Sequence, residues 1–166
     1  VVANLPYYIS TPLLFKFLEH RRRFSRLVLM LQNEVADRLV AKAGSSDYGV
    51  LSVITQYAAQ VKKAFRVSAN CFRPRPEVGS AVVVLRPRSH TLLSPQQEPG
   101  FAAVVRAAFA HRRKTLVNSL RDQGYDAALV SEAVAAMRLV PAVRAEKLTL
   151  EQFMELAERL AHRELS

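Results

Sequence analysis

Five consecutive apolar residues, Leu27-Val28-Leu29-Met30-Leu31, restrict the folds open to this chain more than any other stretch. A run this short, with no polar position left to face water, reads as a β-strand covered on both faces, as in sheets sandwiched between helices. Helical patterns flank it. Upstream, Thr11 can cap a helix, Pro12 suits its first position, and Leu14, Phe17 and Leu18 recur at helical spacing. Downstream, 33–42 reads as a helix with Val35, Leu39 and Val40 inward, 44–49 as a loop, and 50–59 as a further helix. Residues 61–67 and 80–85 then read as strands around a loop at 70–79. The order predicts an α/β sheet with an antiparallel end. Val1-Val2-Ala3 is expected as a short buried strand of the same sheet, continuing a domain whose earlier part lies upstream.

The pattern changes after residue 88. Prolines, serines and a glycine in 88–100 mark a linker, and everything beyond reads as helix. Phe101, Val104, Val105, Ala108 and Phe109 form one apolar stripe, and Leu116 and Leu120 begin a second helix that Gly124 can end. A third spans 126–137. Thr149 and Gln152 form a capping box for a last helix with Leu150, Phe153, Ala157 and Leu160 on one face. The expected organisation is an α/β part over 1–88, a linker at 89–99 and a helical domain over 100–166.

Charge points to a polyanionic partner. The formal net charge is +10, and residues 1–94 hold 14 of the 24 Lys/Arg but only 5 of the 14 acids. No apolar run reaches the roughly 18 residues of a membrane span, so no membrane partner is expected. A single cysteine, Cys71, cannot form an internal disulfide and suits a reducing compartment. It reads as a small packed residue rather than a nucleophile. The histidines show no metal-ligand spacing, and no metal is expected.

Asn4-Leu5-Pro6-Tyr7 holds the chemistry. The exocyclic amine of a base is a poor nucleophile because its lone pair is delocalised into the ring. Two fixed acceptors for its N–H groups, a strand-end Asn oxygen and a backbone carbonyl stiffened by proline, favour a geometry in which the lone pair can attack. The Tyr7 ring offers a face for the base, and its π-face suits a sulfonium cation. By themselves, the same four residues also fit a plain turn leaving a strand, with Tyr7 packed inside. Phe72, in a proline-stiffened and Arg-flanked loop, suits a flipped base and equally suits an apolar loop anchor.

The longer string N-L-P-Y-Y-I-S-T-P-L resembles motif IV of the KsgA family, the adenine N6-dimethyltransferases of small-subunit ribosomal RNA. The likeness continues through Met30 to Leu39 (M-L-Q-N-E-V-A-D-R-L, where the family has Lys or Arg at the position of Asn33) and Tyr48 to Val53. It extends through Phe72 to Val82, Arg112 to Leu120, and Arg144 to Leu148. Glu77 stands where the family often has Lys, and Gly79 where it often has Asp.

The resemblance implies the C-terminal part of a Rossmann-like, S-adenosylmethionine-dependent methyltransferase domain, followed by a small all-α domain. It implies that Asn4 and the Leu5–Pro6 backbone hold the target amine, that Asn4 borders the cofactor, and that Tyr7 and Phe72 sandwich the adenine. Arg112, Arg113 and Lys114 would contact RNA, although each basic stretch alone also reads as a solvated face. No Gly-rich phosphate loop or following ribose acid occurs in the sequence. The family carries them upstream, so this chain alone should bind cofactor weakly or not at all.

The implied partner is small-subunit ribosomal RNA in a pre-30S particle, met in the cytoplasm by a monomer during ribosome biogenesis. Three rivals remain. They are the large-subunit adenine methyltransferases of macrolide resistance, adenine-DNA or protein-glutamine methyltransferases (which have Pro where this chain has Leu5), and a non-catalytic RNA-binding or assembly module.

Overall fold

The computed structural model describes residues 1–88 and 93–161 and divides the chain into two compact units. Among the described residues, the first holds 1–41 and 55–88, the second Lys42–Ile54 and 93–161. The division is therefore not a single cut near residue 88, as the composition suggests. Part of the expected linker, 89–92, lies outside the described residues, as do the last five residues of the expected helical domain, 162–166.

The first unit is built on a four-stranded sheet in the order β1-β2-β4-β3, with β1 at Val2–Asn4, β2 at Leu27–Gln32, β3 at Ala59–Val67 and β4 at Ser80–Pro87. β1 runs parallel to β2, and β4 is antiparallel to both of its neighbours, the mixed arrangement expected from the strand order. The apolar run of β2 alternates in burial: Leu27, Leu29 and Leu31 are fully buried, Val28 and Met30 only half-buried. It is thus not equally covered on its two faces, contrary to the sequence expectation. Ala81, Val83 and Leu85 of β4 lie opposite the buried leucines in register, so one face of the sheet forms the core. α2 (Asn33–Val40) packs across β2, β4 and β3, burying Ala36 and Leu39. Val35 and Val40, expected inward, are half-buried, because Ala36 takes the central position of the face.

β1 corrects another expectation, since Val1 and Val2 are exposed rather than buried: its only neighbour among the described residues is β2, on one side. α1 (Ser10–Glu19) starts before the expected cap. A 3-10 turn at Tyr7–Ile9 feeds directly into it, with Ile9 N–H donating to the Pro6 carbonyl, so Thr11 and Pro12 already lie inside the first turn. Proline is tolerated there because first-turn N–H groups have no intrahelical acceptor. Leu14 and Leu18 are buried, and Phe17 meets Phe24 edge-on at 5.8 Å.

The second unit is helical: α4 (Glu98–Phe109), α5 (Leu116–Arg121), α6 (Ala127–Ala136) and α7 (Leu150–Ala161). α4 begins inside the expected linker, with Pro99 in its first turn. Its core includes Phe101, Val105, Leu116, Leu120, Val130, Leu148, Phe153 and Leu156. Thr115 and Asp126 cap α5 and α6 through their side chains, and Thr149 and Gln152 form the capping box at α7. α3 (Val50–Ala58) starts in this unit and ends in the sheet unit.

Three contacts assign Lys42–Ile54 to the helical unit. Gly44 N–H donates to the Glu146 carbonyl, Arg112 Nη2 to the Ser46 carbonyl, and the buried Tyr48 ring sits 6.0 Å from Phe109. Burial, with Glu151 nearby, pushes the Tyr48 phenol up to about 12; it stays neutral at ordinary pH.

Candidate functional site

Asn4 closes β1 at the carboxyl end of the only parallel strand pair among the described residues, and open α/β sheets bind ligands at such ends. Its Cα pairs with Met30, and Leu5 N–H extends the ladder to the Met30 carbonyl at 3.2 Å. Leu5 is buried, whereas Asn4 and Pro6 are exposed. The chain therefore leaves the sheet with its middle residue anchored and its polar ends presented. The two neighbouring carbonyls differ. That of Pro6 accepts from Ile9 N–H at 3.2 Å, while that of Leu5 has no partner among the described residues. Of the Leu5–Pro6 backbone, the Leu5 oxygen is the available acceptor beside Asn4.

Tyr7 is half-buried and tied at both ends. Its carbonyl accepts from Ser10 Oγ at 3.0 Å, and its phenol oxygen lies 2.6 Å from Ser80 Oγ. Ser80 is fully buried at the start of β4. Reading the sequence missed it, since nothing local marks a serine 73 residues away as a partner of Tyr7.

The loop that ends at Ser80 carries Phe72. A 3-10 turn at Ala69–Cys71, with Ser68 Oγ accepting from Asn70 N–H, sets Phe72 N–H on the Ala69 carbonyl at 3.3 Å. Phe72 is half-buried with extended backbone, and the Arg73–Pro74 peptide that follows is cis. Cys71 is exposed, so the expectation of a packed cysteine fails: the tight turn points it outward.

At the far end of the loop, a Cβ on Gly79 would stand 2.8 Å from Asn33 Nδ2 and 3.3 Å from the Val67 carbonyl. Asn33 N–H donates to the Gly79 carbonyl at 3.0 Å. Gly79 and Asn33, two departures from the family pattern, are thus in contact, and the missing side chain at 79 leaves room for the amide at 33.

The basic cluster forms the turn between α4 and α5. Ser119 fixes that turn from below, donating to the Ala107 carbonyl at 2.8 Å and accepting from His111 N–H at 3.3 Å. The three side chains are not equivalent. Arg112 is spent on the Ser46 carbonyl and Lys114 on Asp122, which also binds Arg121 at 3.0 Å. Hydrogen bonds from Lys114 and then Arg121 hold the Asp122 carboxyl below its usual range. Arg113 is exposed, with no partner among the described residues.

In the sheet unit, Lys63 is paired with Asp37 at 2.6 Å. Arg26, Lys62 and Arg86 instead line a cavity of about 570 Å³ that has no acid in its wall. Among the described residues, no cluster of His, Cys, Asp and Glu could hold a metal, and no helix is long and apolar enough to cross a membrane.

The family model described as "Ribosomal RNA adenine dimethylase" matches residues 1–162. Curated relatives include the "Ribosomal RNA small subunit methyltransferase A" of Moorella thermoacetica, 43% identical over 162 residues covering 98% of this chain and 56% of that protein. The protein of the same name from Halothermothrix orenii is 44% identical over 163 residues, covering 96% of this chain and 54% of its own. The chain thus spans about half the length of the curated relatives it matches. Among solved structures, a dimethyladenosine transferase from Plasmodium falciparum superposes with a TM-score of 0.75 at 27% identity, over 93% of this chain and 64% of that one. The 23S rRNA methyltransferase ErmE gives a TM-score of 0.68 at 24% identity, over 96% of this chain and 64% of its own, a likeness of fold. The fold is that of the Rossmann-like methyltransferases, with the helical unit attached.

Proposed function

The chain belongs to the ribosomal RNA adenine dimethylase family, and from that premise we propose that it is part of an enzyme that dimethylates N6 of two adjacent adenines near the 3′ end of small-subunit ribosomal RNA. The observation that carries this reading is the Asn4–Tyr7 turn. It sits at the carboxyl end of the parallel strands, with a Leu5 carbonyl that has no partner among the described residues and a phenol bound to the first residue of β4, the strand into which the Phe72 loop leads. The division of labour proposed is a methyltransferase part over 1–88, of which Lys42–Ile54 packs with the helical unit, and a helical domain over 100–166 joined by 89–99, whose last residues already open α4, acting as a monomer in the cytoplasm during assembly of the small subunit.

S-adenosylmethionine, when bound, supplies an electrophilic methyl group. The exposed Asn4 side chain at the carboxyl end of β1 fits its border, and the remainder of such a site has no counterpart in this sequence. Asn4 Oδ1 and the Leu5 carbonyl accept the two N6–H bonds, so that the nitrogen lone pair is turned away from ring conjugation. Neither group changes protonation state. Tyr7 and Phe72 hold the flipped base by stacking. The proton lost from N6 after transfer leaves to water.

Substrate mapping tests the assignment. The full-length protein, given S-adenosylmethionine and separate pre-30S and large-subunit RNA, should stop reverse transcriptase at a pair of adenines in the small-subunit RNA alone. Methylation confined to large-subunit RNA would move the protein to the macrolide-resistance type, and RNA binding without methylation would make it an assembly module.

RNA docking is proposed as a composite. The acid-free groove of Arg26, Lys62 and Arg86 supplies a general attraction, and the α4–α5 turn supplies orientation. Replacing Arg112, Arg113 and Lys114 together by Ala should lower the log–log salt slope of binding by at most about 2.7, at roughly 0.9 per lost phosphate contact. Because Arg112 and Lys114 already have protein partners, Arg113→Ala alone should account for about one contact's worth, roughly 0.9. Filter binding across a salt series reads the slope, and an unchanged slope in the triple variant would reduce the cluster to a solvated face.

A further inference from the structure

We infer that Ser80 is a positioning residue, which holds the Tyr7 phenol at the very strand end from which the Phe72 loop is hung. The inference rests on the stacking role proposed above for Tyr7 and Phe72.

Ser80 opens β4 at a fully buried position, where an apolar side chain is the more usual occupant. It is fully buried, and its backbone is held on both sides, in register with Gln32 of β2 and Val67 of β3. A buried hydroxyl is tolerated only when it is hydrogen-bonded, and here the partner is the Tyr7 phenol at 2.6 Å. Either oxygen can serve as the donor, so the bond joins two uncharged hydroxyls.

The consequence for Tyr7 is loss of freedom. Its main chain is fixed by Ser10 Oγ on its carbonyl and by the Leu5 N–H ladder bond just before it. With the ring tip also bound, no rotatable bond of the side chain is left unconstrained. A stacking platform must present one ring plane, and a free ring would have to be ordered anew at each binding event.

The second consequence concerns the other ring. Gly79 is gripped by Asn33, through its carbonyl and through the close approach that glycine permits. The Gly79-Ser80 step therefore both ends the loop that carries Phe72 and clasps the tip of Tyr7. Alignment of the two aromatic walls of the base slot is set at one point, the start of β4.

The test uses the full-length protein in single-turnover methyl transfer to small-subunit particles, with RNA and cofactor affinities measured separately. Tyr7→Phe and Ser80→Ala should each lower turnover roughly 3- to 10-fold, the effect of one lost neutral hydrogen bond. The double variant should fall no further than either single one, because both remove the same bond. RNA and cofactor dissociation constants should stay within about twofold, since phosphate contacts dominate RNA affinity. Additive losses, a loss seen only in KM, or unchanged turnover in Tyr7→Phe would overturn the inference. Should Ser80→Ala fail to fold, Tyr7→Phe, which deletes one oxygen from a half-buried ring, still decides it. Tyr7→Ala separates this inference from the reading beneath it. A strong loss in Tyr7→Ala beside parental turnover in Tyr7→Phe leaves stacking standing and removes Ser80 from it; parental turnover in Tyr7→Ala removes both.

Discussion

Asn4→Ala in the full-length protein is expected to lower kcat by about 10²- to 10³-fold, the effect of deleting one preorganised polar partner of a reacting group. The side chain is exposed at the end of β1, and its backbone is fixed by pairing with Met30 and by the Leu5 ladder bond. Truncation therefore removes the acceptor without disturbing the strand. Asn4→Asp is the informative companion. It keeps an acceptor oxygen at the same reach, so it should retain more turnover than Asn4→Ala. Rapid-quench measurement of methyl transfer under saturating RNA isolates the chemical step from docking. Equal losses in the two variants would show that accepting the N6–H bond is not what Asn4 does, and Asn4→Ala within about threefold of the parent enzyme would remove it from the chemistry.

What could be read from the sequence was local or periodic. The Leu27–Leu31 run located β2, and the alternation of helical and extended patterns gave the mixed sheet, because burial at 2.0 or 3.6 residue spacing is written along the chain itself. Thr149 with Gln152 located the start of α7 for the same reason. What could not be read depended on distant residues meeting. The Tyr7–Ser80 bond joins positions 73 apart. Tyr48 looked like part of a loop signature, yet its ring packs on Phe109 and draws Lys42–Ile54 into the helical unit. Asn33 and Gly79 each differ from the family pattern at positions 46 apart in sequence, and only the structure shows that the two positions are in contact. The Arg112–Lys114 cluster was visible as charge, but Asp122 and the Ser46 carbonyl claim two of its three side chains. Charge runs along a sequence count cations; they do not count the cations left over for a ligand.

Phe72→Ala should reduce kcat/KM for ribosomal RNA by roughly 5- to 150-fold, corresponding to the 1–3 kcal/mol that stacking of one base on an aromatic ring contributes. The loop that bears Phe72 is held independently at both ends, by the Ser68 cap and Ala69–Cys71 turn before it and by Asn33 and Ser80 after it. Loss of a half-buried ring between two such anchors leaves the backbone in place, so thermal stability should move little while the base loses one wall of its slot. Phe72→Tyr keeps the ring and should restore most of the rate, which a simple loss of packing volume would not distinguish from Phe72→Leu. The cofactor dissociation constant should be unchanged in all three variants, because the residue proposed at the cofactor border is Asn4, at the end of β1 and outside this loop. Tyr7→Ala is expected to cost more than Phe72→Ala, since it removes a stacking face and the bond to Ser80 together. Parental turnover in Phe72→Ala would reduce this residue to the loop's apolar anchor, the alternative that its half-buried position equally allows, and would leave Tyr7 as the only aromatic wall.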